Sequence, residues 1–257
     1  MPRLEAVVDR LMTAGCVAAA EEAAAFLAAA PDEHTLEAWL CRREHGEPPA
    51  WITGTVRFCG QTLHIASGVY VPRAQTEELA RRAARLLPPN GLAVDFCTGA
   101  GAVAAHLKAQ VPTATVIGID IDARASACAR RNGVPTVVAD LAEPLRRGDG
   151  FDLVTAVAPY VPAGELRLLP ADVQRYEPTF ALNGGADGLD LVRRVVTAAR
   201  RLLCPGGWLL VELGGEQDEA LSPALEAAGF DRITPWRDSN GDLRGLACQA
   251  GTRGPLI

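Results

Sequence analysis

Three aspartates, Asp95, Asp120 and Asp140, each follow or end a short apolar segment and precede a helical pattern. In a parallel sheet these are the positions that deliver groups to a ligand. Two glycines, Gly99 and Gly101, lie in the turn after the first segment, where they would bring unobstructed backbone N–H groups close to a ligand. A carboxylate at the end of the second strand, as at Asp120, is suited to accept hydrogen bonds from the two hydroxyls of a ribose. The glycine turn and the strand-end acid together indicate a site for a nucleoside-containing cofactor.

The form of the turn narrows the choice of cofactor. The dinucleotide fingerprint would need a third glycine at position 104, where Ala104 stands, a replacement that the fingerprint tolerates. A phosphate-cradling P-loop is excluded, because the sequence has no G-x-x-x-x-G-K-[ST] and its only lysine is Lys108. Each aspartate taken singly is better explained as a helix N-cap or a solvated strand end. Three of them at successive strand-to-helix junctions favour the binding site.

The rest of the chain predicts the elements that would position these groups. From Leu92 onward, apolar strands alternate with helices, which is typical of an α/β fold with a mostly parallel sheet flanked by helices. We expect six strands, near residues 92–96, 115–119, 136–139, 151–157, 207–213 and 244–249. The turn at 238–242 is too short for a crossover, so the last strand is expected to form an antiparallel pair at the edge of the sheet.

The sequence upstream of the sheet predicts two further units. Residues 1–48 show only helical periodicity and predict a small N-terminal helical domain. Residues 49–74 contain two short alternating segments, at 54–58 and 62–65, which predict a linking β-hairpin. The catalytic domain is then expected to span 75–257.

Composition and charge exclude several classes of protein. The 257 residues are 49% hydrophobic, enough for a sizeable core. The net charge of −6 lacks the positive footprint of a general nucleic-acid binder. The seven cysteines are scattered and include no C-x-x-C, which favours reduced thiols in the cytoplasm. We expect no metal site, no signal peptide and no membrane-spanning segment.

Two segments carry a family resemblance. Segment 95–101, with the form Asp-x-x-Thr-Gly-x-Gly, resembles motif I of S-adenosylmethionine-dependent methyltransferases. Segment 157–160, Val-Ala-Pro-Tyr, takes the place of Asn-Pro-Pro-Tyr in the N5-glutamine protein methyltransferases of the HemK type, which methylate bacterial peptide-chain release factors. The resemblance covers about residues 51–249, through further similar blocks at 71–77, 175–189, 212–217 and 237–241.

The resemblance implies a class I S-adenosylmethionine-dependent methyltransferase with a Rossmann-like sheet, which leaves S-adenosyl-L-homocysteine as product. It implies cofactor contacts from Asp95, Phe96, Cys97, Thr98, Gly99, Gly101, Asp120, Ile121, Asp140, Leu141 and Val157. It places the reaction at Val157, Ala158, Pro159 and Tyr160, and the substrate against Arg73, Tyr160 and Tyr176. The acceptor is expected to be a nitrogen of a protein, a peptide or a small molecule, docked with help from the helical domain.

The chain departs from the family pattern at Val157 and Ala158, near the expected acceptor, and at Gln75, near the mouth of the cofactor site. In the family, the Asn side chain and the following backbone carbonyl accept the two N–H bonds of a planar amide, which aims the nitrogen lone pair at the methyl carbon. Val157 has no acceptor atom, and losing one buried polar partner costs roughly 1–3 kcal/mol, about 10- to 100-fold in rate or affinity. Gln75 stands where the family has Glu. We therefore predict weak or no activity on the Gly-Gly-Gln loop of a release factor.

Two classes of function stay open at the level of sequence. One is an active N-methyltransferase, acting on a protein glutamine or on a re-purposed amine, guanidine or peptide acceptor. The other is a non-catalytic module that binds the cofactor. The intact motif I, together with Asp120, Asp140 and Tyr160, favours the enzyme. A nucleic-acid N-methyltransferase is disfavoured by the acidic charge and by the lack of a recognition domain.

Overall fold

The computed structural model describes residues 2–146 and 150–251. The predicted domains also include residues 1, 147–149 and 252–257, which lie outside the described parts. The helices are α1 Pro2–Thr13, α2 Ala19–Ala29, α3 Glu33–Glu44, α4 Pro49–Thr53, α5 Thr76–Leu86, α6 Ala102–Gln110, α7 Ala123–Arg131, α8 Ala171–Tyr176, α9 Asp190–Leu202 and α10 Gln217–Ala227. None of the helices in the described parts combines the length and the apolar character that crossing a membrane requires.

The strands form a two-stranded hairpin and a seven-stranded sheet. They are β1 Thr55–Phe58, β2 Gln61–His64, β3 Leu92–Phe96, β4 Thr115–Asp120, β5 Thr136–Val138, β6 Phe151–Ala156, β7 Leu203–Glu212, β8 Phe230–Arg237 and β9 Leu243–Ala250. The large sheet has the order β5-β4-β3-β6-β7-β9-β8 and is parallel except where β9 runs antiparallel to both of its neighbours. This is the mostly parallel α/β sheet that the alternation of strands and helices predicts.

The two central strands, β3 and β6, are buried on both faces because helices cover the sheet from both sides. Side chains alternate along each strand, so Ala93 and Leu153 pack under α5 and α6, whereas Val94 and Val154 pack against α9 and α10. These two apolar layers hold the carboxyl ends of β3 and β6 in fixed positions.

The edge of the sheet is an antiparallel pair, as predicted for the last strand. The last strand, β9, pairs antiparallel with β8 and lies between β7 and β8 in the sheet. The edge is β8, which the sequence analysis missed. Only Phe230 and Trp236 are buried along this strand, and Pro235 lies within it. Such a mixed pattern is typical of an edge strand and leaves almost no periodic signal.

Helices α1–α3 pack around a core of their own, which includes Leu11, Phe26 and Leu40. Ile52 joins this core from α4, a one-turn helix that the sequence analysis did not predict. Pro49 begins α4 and Gly54, with φ of +71°, ends it. The hairpin β1–β2 follows as predicted. The division of the chain into domains at 48 and 74 stays a prediction.

Candidate active site

The candidate site lies where the strand order reverses. From β3 the chain continues outward through β4 and β5, then returns to β6 on the other side of β3. The loops after β3 and β6 therefore diverge and leave a crevice at the carboxyl ends of the strands. Phe96 pairs in register with Ala156, so Cys97 and Val157 leave the sheet side by side. The glycine turn and the Val-Ala-Pro-Tyr segment meet at this crevice.

The carboxylate of Asp95 lies buried beneath the glycine turn. Its Oδ2 accepts a hydrogen bond from Thr98 Oγ1 at 2.6 Å, and its Oδ1 accepts one from Thr155 Oγ1 at 2.7 Å. Burial raises the pKa of Asp95 to about 6, although both hydroxyl bonds act in the opposite direction. A positive charge placed next to this carboxylate would further stabilise its ionised form, so the position suits a cationic ligand.

Asp120, at the end of β4, holds the turn from the opposite side. Its Oδ2 accepts from Gly99 N at 2.8 Å, and its Oδ1 accepts from Asp122 N at 2.9 Å. Each carboxylate oxygen has further lone-pair capacity, so both oxygens are still able to accept a ligand hydroxyl. Burial also raises the pKa of Asp120, while these backbone bonds lower it.

A cavity of about 90 Å³ runs along this edge of the sheet. The predicted cofactor residues that line it are Cys97, Gly99, Asp120, Ile121 and Val157. A void of about 40 Å³ behind the turn reaches Asp95 and Thr98. Ile121 is 65% exposed and Phe180 is 52% exposed, and both line the cavity. They offer apolar surface that a flat aromatic ring could cover.

Four residues predicted at the cofactor stand apart from this cavity. The side chain of Phe96 is fully buried in the core. Gly101 caps α6 with φ of +79° and packs against α7. Asp140 and Leu141 line a separate, open cavity of about 420 Å³, where Arg194 donates to Asp140 at 2.7 Å. The structure thus brings together the residues around Asp95 and Asp120 and leaves the pair at 140–141 to one side.

A larger cleft, of about 690 Å³, opens on the other side of Val157. One wall is segment 157–161 with segment 169–173, and the facing wall comes from segment 14–18 with Glu22 and Arg43 of the N-terminal helices. Val157 and Pro159 line both this cleft and the cofactor cavity, as do Tyr70 and Ala181. The Val-Ala-Pro-Tyr turn therefore forms part of the border, called the partition below, along which the two spaces adjoin.

The backbone of this turn is fixed by close packing against two glycines and by one side-chain hydrogen bond. A Cβ atom at Gly184 would lie 2.7 Å from the carbonyl oxygen of Pro159, and one at Gly188 would lie 2.2 Å from that of Tyr160. Gln217 Nε2 donates to the same Tyr160 carbonyl at 2.8 Å. The glycines of block 175–189 thus serve close packing on the turn, and Gln217 fixes the orientation of its last peptide.

A hydrogen-bond network fixes the side chain of Tyr160. Its hydroxyl donates to Glu212 Oε1 at 2.9 Å, and Gln75 Nε2 donates to the hydroxyl at 2.8 Å and to Glu212 Oε1 at 3.1 Å. Thr76 Oγ1 donates to Glu212 Oε2 at 2.6 Å, and Glu212 itself is buried. Burial, and after it the negative charge of Glu212, raises the pKa of Tyr160, so the hydroxyl keeps its proton at neutral pH.

The two other predicted substrate residues differ in their placement. Arg73 lines the cleft, with Nη2 donating to Glu177 at 2.5 Å and the guanidinium 4.9 Å above the ring of Tyr70. Tyr176 instead donates to the backbone carbonyl of His45 at 2.9 Å, which ties α8 to the N-terminal helices. A direct role for Tyr176 in substrate binding stays a prediction.

Four residues that hold Tyr160 in place are absent from the predicted site, namely Gln75, Thr76, Glu212 and Gln217. A signal for Glu212 exists in the sequence, because Glu212 ends the apolar run of β7 as Asp95 ends that of β3. Glu212 and Gln217 also belong to block 212–217, which carries part of the family resemblance.

Comparison with known proteins agrees with this architecture. A family model described as a methyltransferase domain matches residues 93–176. The release factor glutamine methyltransferase of Geobacter sulfurreducens is 39% identical, over 79% of this chain and 73% of its own length. That of Cereibacter sphaeroides is 35% identical, over 93% of this chain and 94% of its own length. The chain belongs to the release factor glutamine methyltransferase family.

Solved structures confirm the class I methyltransferase fold. A methyltransferase from Pyrococcus furiosus superposes with a TM-score of 0.56 and 16% identity, covering 75% of this chain and 90% of the other. The 16S rRNA N2 G1207 methyltransferase of T. thermophilus gives 0.54 and 18% identity, covering 79% of this chain and 46% of the other.

The acceptors named for relatives of this methyltransferase are not uniform. A Streptomyces pristinaespiralis protein, 38% identical over 74% of this chain and 69% of its own length, is a 4-amino-L-phenylalanine/4-methylamino-L-phenylalanine methyltransferase. Its named acceptor is an amine on a small molecule, whereas the release factor enzymes are named for a protein glutamine. Against the Asn-Pro-Pro-Tyr pattern of the family, this chain differs at Val157 and Ala158, on the partition that faces the acceptor.

Proposed function

We propose that this chain transfers the methyl group of S-adenosylmethionine to a nitrogen atom bound in the 690 Å³ cleft. The observation that carries the proposal is the shared partition: Val157 and Pro159 line the cofactor cavity on one side and the cleft on the other. A methyl group and a nitrogen nucleophile on the two sides of this turn would meet at a short distance. Alignment of that kind supplies most of the rate of a group transfer.

The residues of the smaller cavity fit the cofactor. Asp120 has spare acceptor capacity for the two ribose hydroxyls. Asp95 is a buried carboxylate that a cationic methionine end would stabilise in its ionised form. Ile121 offers an apolar face to adenine. S-adenosylmethionine supplies an electrophilic methyl group on a sulfonium, and the protein's task is to hold the acceptor in line with it.

For the acceptor, two nitrogen classes have support. A glutamine side chain of a protein is supported by the release factor relatives. A small-molecule amine is supported by Val157, which has no atom to accept an amide N–H, and by the amine acceptor named for the Streptomyces relative. An amide nitrogen is planar and fixes the directions of both N–H bonds, whereas an amine turns about its C–N bond and needs fewer fixed acceptors. We therefore propose an amine as the better acceptor.

The N-terminal helices contribute to the choice of acceptor in this proposal. The wall of the cleft opposite the turn consists of segment 14–18, Glu22 and Arg43. Arg43 donates to Glu22 at 2.6 Å, so this wall carries both signs of charge. We propose residues 1–48 as the docking unit for that reason.

The test offers the purified chain S-adenosylmethionine with two acceptors in parallel, a release factor that carries the Gly-Gly-Gln loop and 4-amino-L-phenylalanine. Release of S-adenosylhomocysteine and the mass of the methylated product are measured. We expect turnover with the amine at a rate at least about 10-fold above that with the release factor, from the hydrogen bond missing at Val157. Faster turnover of the release factor would contradict the amine proposal. Tight cofactor binding without turnover of either acceptor would favour the non-catalytic module.

A further inference from the structure

The hydroxyl of Tyr160 has one hydrogen-bonding site left over. A phenol oxygen carries one proton and two lone pairs. The proton is donated to Glu212 at 2.9 Å, and one lone pair accepts from Gln75 Nε2 at 2.8 Å. The orientation of the Gln75 amide follows from its surroundings, since its nitrogen faces two acceptors and its oxygen faces Arg244 at 3.4 Å. One lone pair of Tyr160 therefore stays available.

Tyr160 and Gln75 both line the acceptor cleft, as do Val157 and Ala158. The residue with the remaining acceptor site therefore lines the same cleft in which Val157 offers none. Burial and the charge of Glu212 raise the pKa of the phenol, so at neutral pH it carries its proton, which it donates to the carboxylate. We propose that the Tyr160 oxygen takes the place of the missing Asn oxygen as the acceptor of a substrate N–H, and that Glu212 receives the proton which the nitrogen loses.

The proposal rests on the proposed N-methyl transfer and names its proton path. When an amine nitrogen takes the methyl group, the N–C bond forms as the C–S bond breaks with its electron pair left on sulfur. The methylated nitrogen then carries one positive charge and one proton more than the neutral product. That proton moves to the oxygen of Tyr160 as the phenol proton moves to Glu212 along the existing hydrogen bond, so the tyrosine is unchanged at the end.

Gln75 is a positioning residue in this arrangement. Its amide donates to both Tyr160 and Glu212 and adds no charge of its own. A glutamate at this position would remove that donor and bring a second carboxylate next to Glu212, where like charges disfavour double ionisation. The departures from the family pattern at positions 75 and 157 are then linked. Position 157 has lost the side-chain acceptor, and the amide at position 75 orients Tyr160 as the group that replaces it.

The experiment compares Tyr160→Phe, Glu212→Gln and Gln75→Glu with the unmodified chain, using whichever of 4-amino-L-phenylalanine and the Gly-Gly-Gln release factor that chain methylates. We expect kcat to fall about 10- to 100-fold in each variant, with KM for the acceptor changed by less than about 5-fold. Glu78→Gln, a carboxylate removed from the exposed face of α5, is the matched control and should keep kcat within about twofold.

Two readouts do not depend on turnover. Calorimetry should give an unchanged S-adenosylmethionine affinity for all variants, since none of the three side chains is placed at the cofactor. Tyr160→Phe should weaken acceptor binding in the presence of S-adenosylhomocysteine, by about 2- to 5-fold. If Tyr160→Phe fails to fold, Gln75→Glu carries the same test, because Gln75 lies at the start of α5 outside the core.

The outcomes separate the two proposals. An unmodified chain that methylates neither acceptor overturns the proposed function and this inference with it. An unmodified chain that turns over, with kcat within twofold in Tyr160→Phe or in Glu212→Gln, overturns the inference alone. A rise in KM equal to the fall in kcat/KM, with kcat unchanged, would also overturn it, because Tyr160 would then serve binding only.

Discussion

The cofactor cavity and the acceptor cleft, which adjoin at Val157, are lined by different kinds of groups. On the cofactor side, the ligand would meet backbone N–H groups and two carboxylates, the buried Asp95 and the half-buried Asp120, which the strand ends of the sheet position directly. On the acceptor side, it would meet side chains contributed by distant parts of the chain, including Gln75 and Tyr160, and a wall from the N-terminal helices. The first side keeps Asp95 and Asp120, whereas the second departs from the family pattern at Gln75, Val157 and Ala158. A methyltransferase of this fold therefore fixes its cofactor through the sheet and selects its acceptor through replaceable side chains.

The largest effect should come from the cofactor side. Asp120→Ala removes both ribose acceptors and the bond to Gly99 N, and hydrogen bonds to a charged group contribute about 1.5–3 kcal/mol each. We expect the dissociation constant for S-adenosylmethionine to rise about 100-fold or more, measured by calorimetry. Asp9→Ala, on the exposed face of α1, should leave it unchanged. An unaltered affinity in a folded Asp120→Ala protein would remove the assignment of this cavity to the cofactor.

The next effect tests the acceptor side at its changed position. Val157→Asn restores an amide oxygen on the partition, so methylation of the Gly-Gly-Gln loop should rise about 10- to 100-fold while cofactor affinity stays within about twofold. Product mass after timed incubation with a release factor gives the rate. Val157→Ala is the matched control, because it makes room without adding an acceptor. An equal rise in that control would show that space, and not the hydrogen bond, limits the reaction.

A smaller effect should appear in the pH dependence of cofactor binding. Burial raises the pKa of Asp95 to about 6, and a bound cation favours the ionised form. Affinity should therefore be full above pH 7 and should fall as pH drops through 6, approaching tenfold per pH unit below it. Calorimetry between pH 5 and 8 on the unmodified chain and on Asp95→Asn would check this. A constant affinity across that range in the unmodified chain would contradict a role for Asp95 at the charged end.

The smallest effect is expected at Asp140. Its carboxylate is paired with Arg194 in a cavity separate from that of Asp120, and exposed ion pairs contribute about 0.2–1 kcal/mol. Asp140→Ala should weaken S-adenosylmethionine binding less than about fivefold, and Arg194→Ala should change it by a similar amount. A loss as large as that of Asp120→Ala would mean that Asp140 leaves Arg194 when the cofactor binds, as the family resemblance implies.

The cofactor edge could be predicted because its signals are local. The glycine turn, Asp95 and Asp120 lie within one β-α-β unit, so spacing along the chain nearly equals placement in space. The same reasoning placed β3, β4 and β6 close to their observed bounds, since each is a continuous apolar run. It failed for β8, where charged residues and Pro235 interrupt the pattern of a half-covered edge strand.

The acceptor side could be predicted only in part, for the opposite reason. Gln75, Tyr160 and Glu212 are separated by 52 to 137 positions in sequence, yet they share one set of hydrogen bonds. No periodicity links them, and a hydroxyl's free lone pair is a property of the assembled network. The departure at Val157 was visible in the sequence, but the neighbouring group proposed to replace it was not.

The glycines behind the Val-Ala-Pro-Tyr turn have a consequence for how such an enzyme changes over time. Gly184 and Gly188 pack against the backbone carbonyls of Pro159 and Tyr160. These backbone contacts fix the path of the main chain, which therefore does not depend on the side chains at 157 and 158. A single codon change at 157 or 158 then alters what the acceptor meets and leaves the scaffold intact. A single substitution is then enough to change which acceptor is bound, whereas a side chain at either glycine would displace the backbone of the partition.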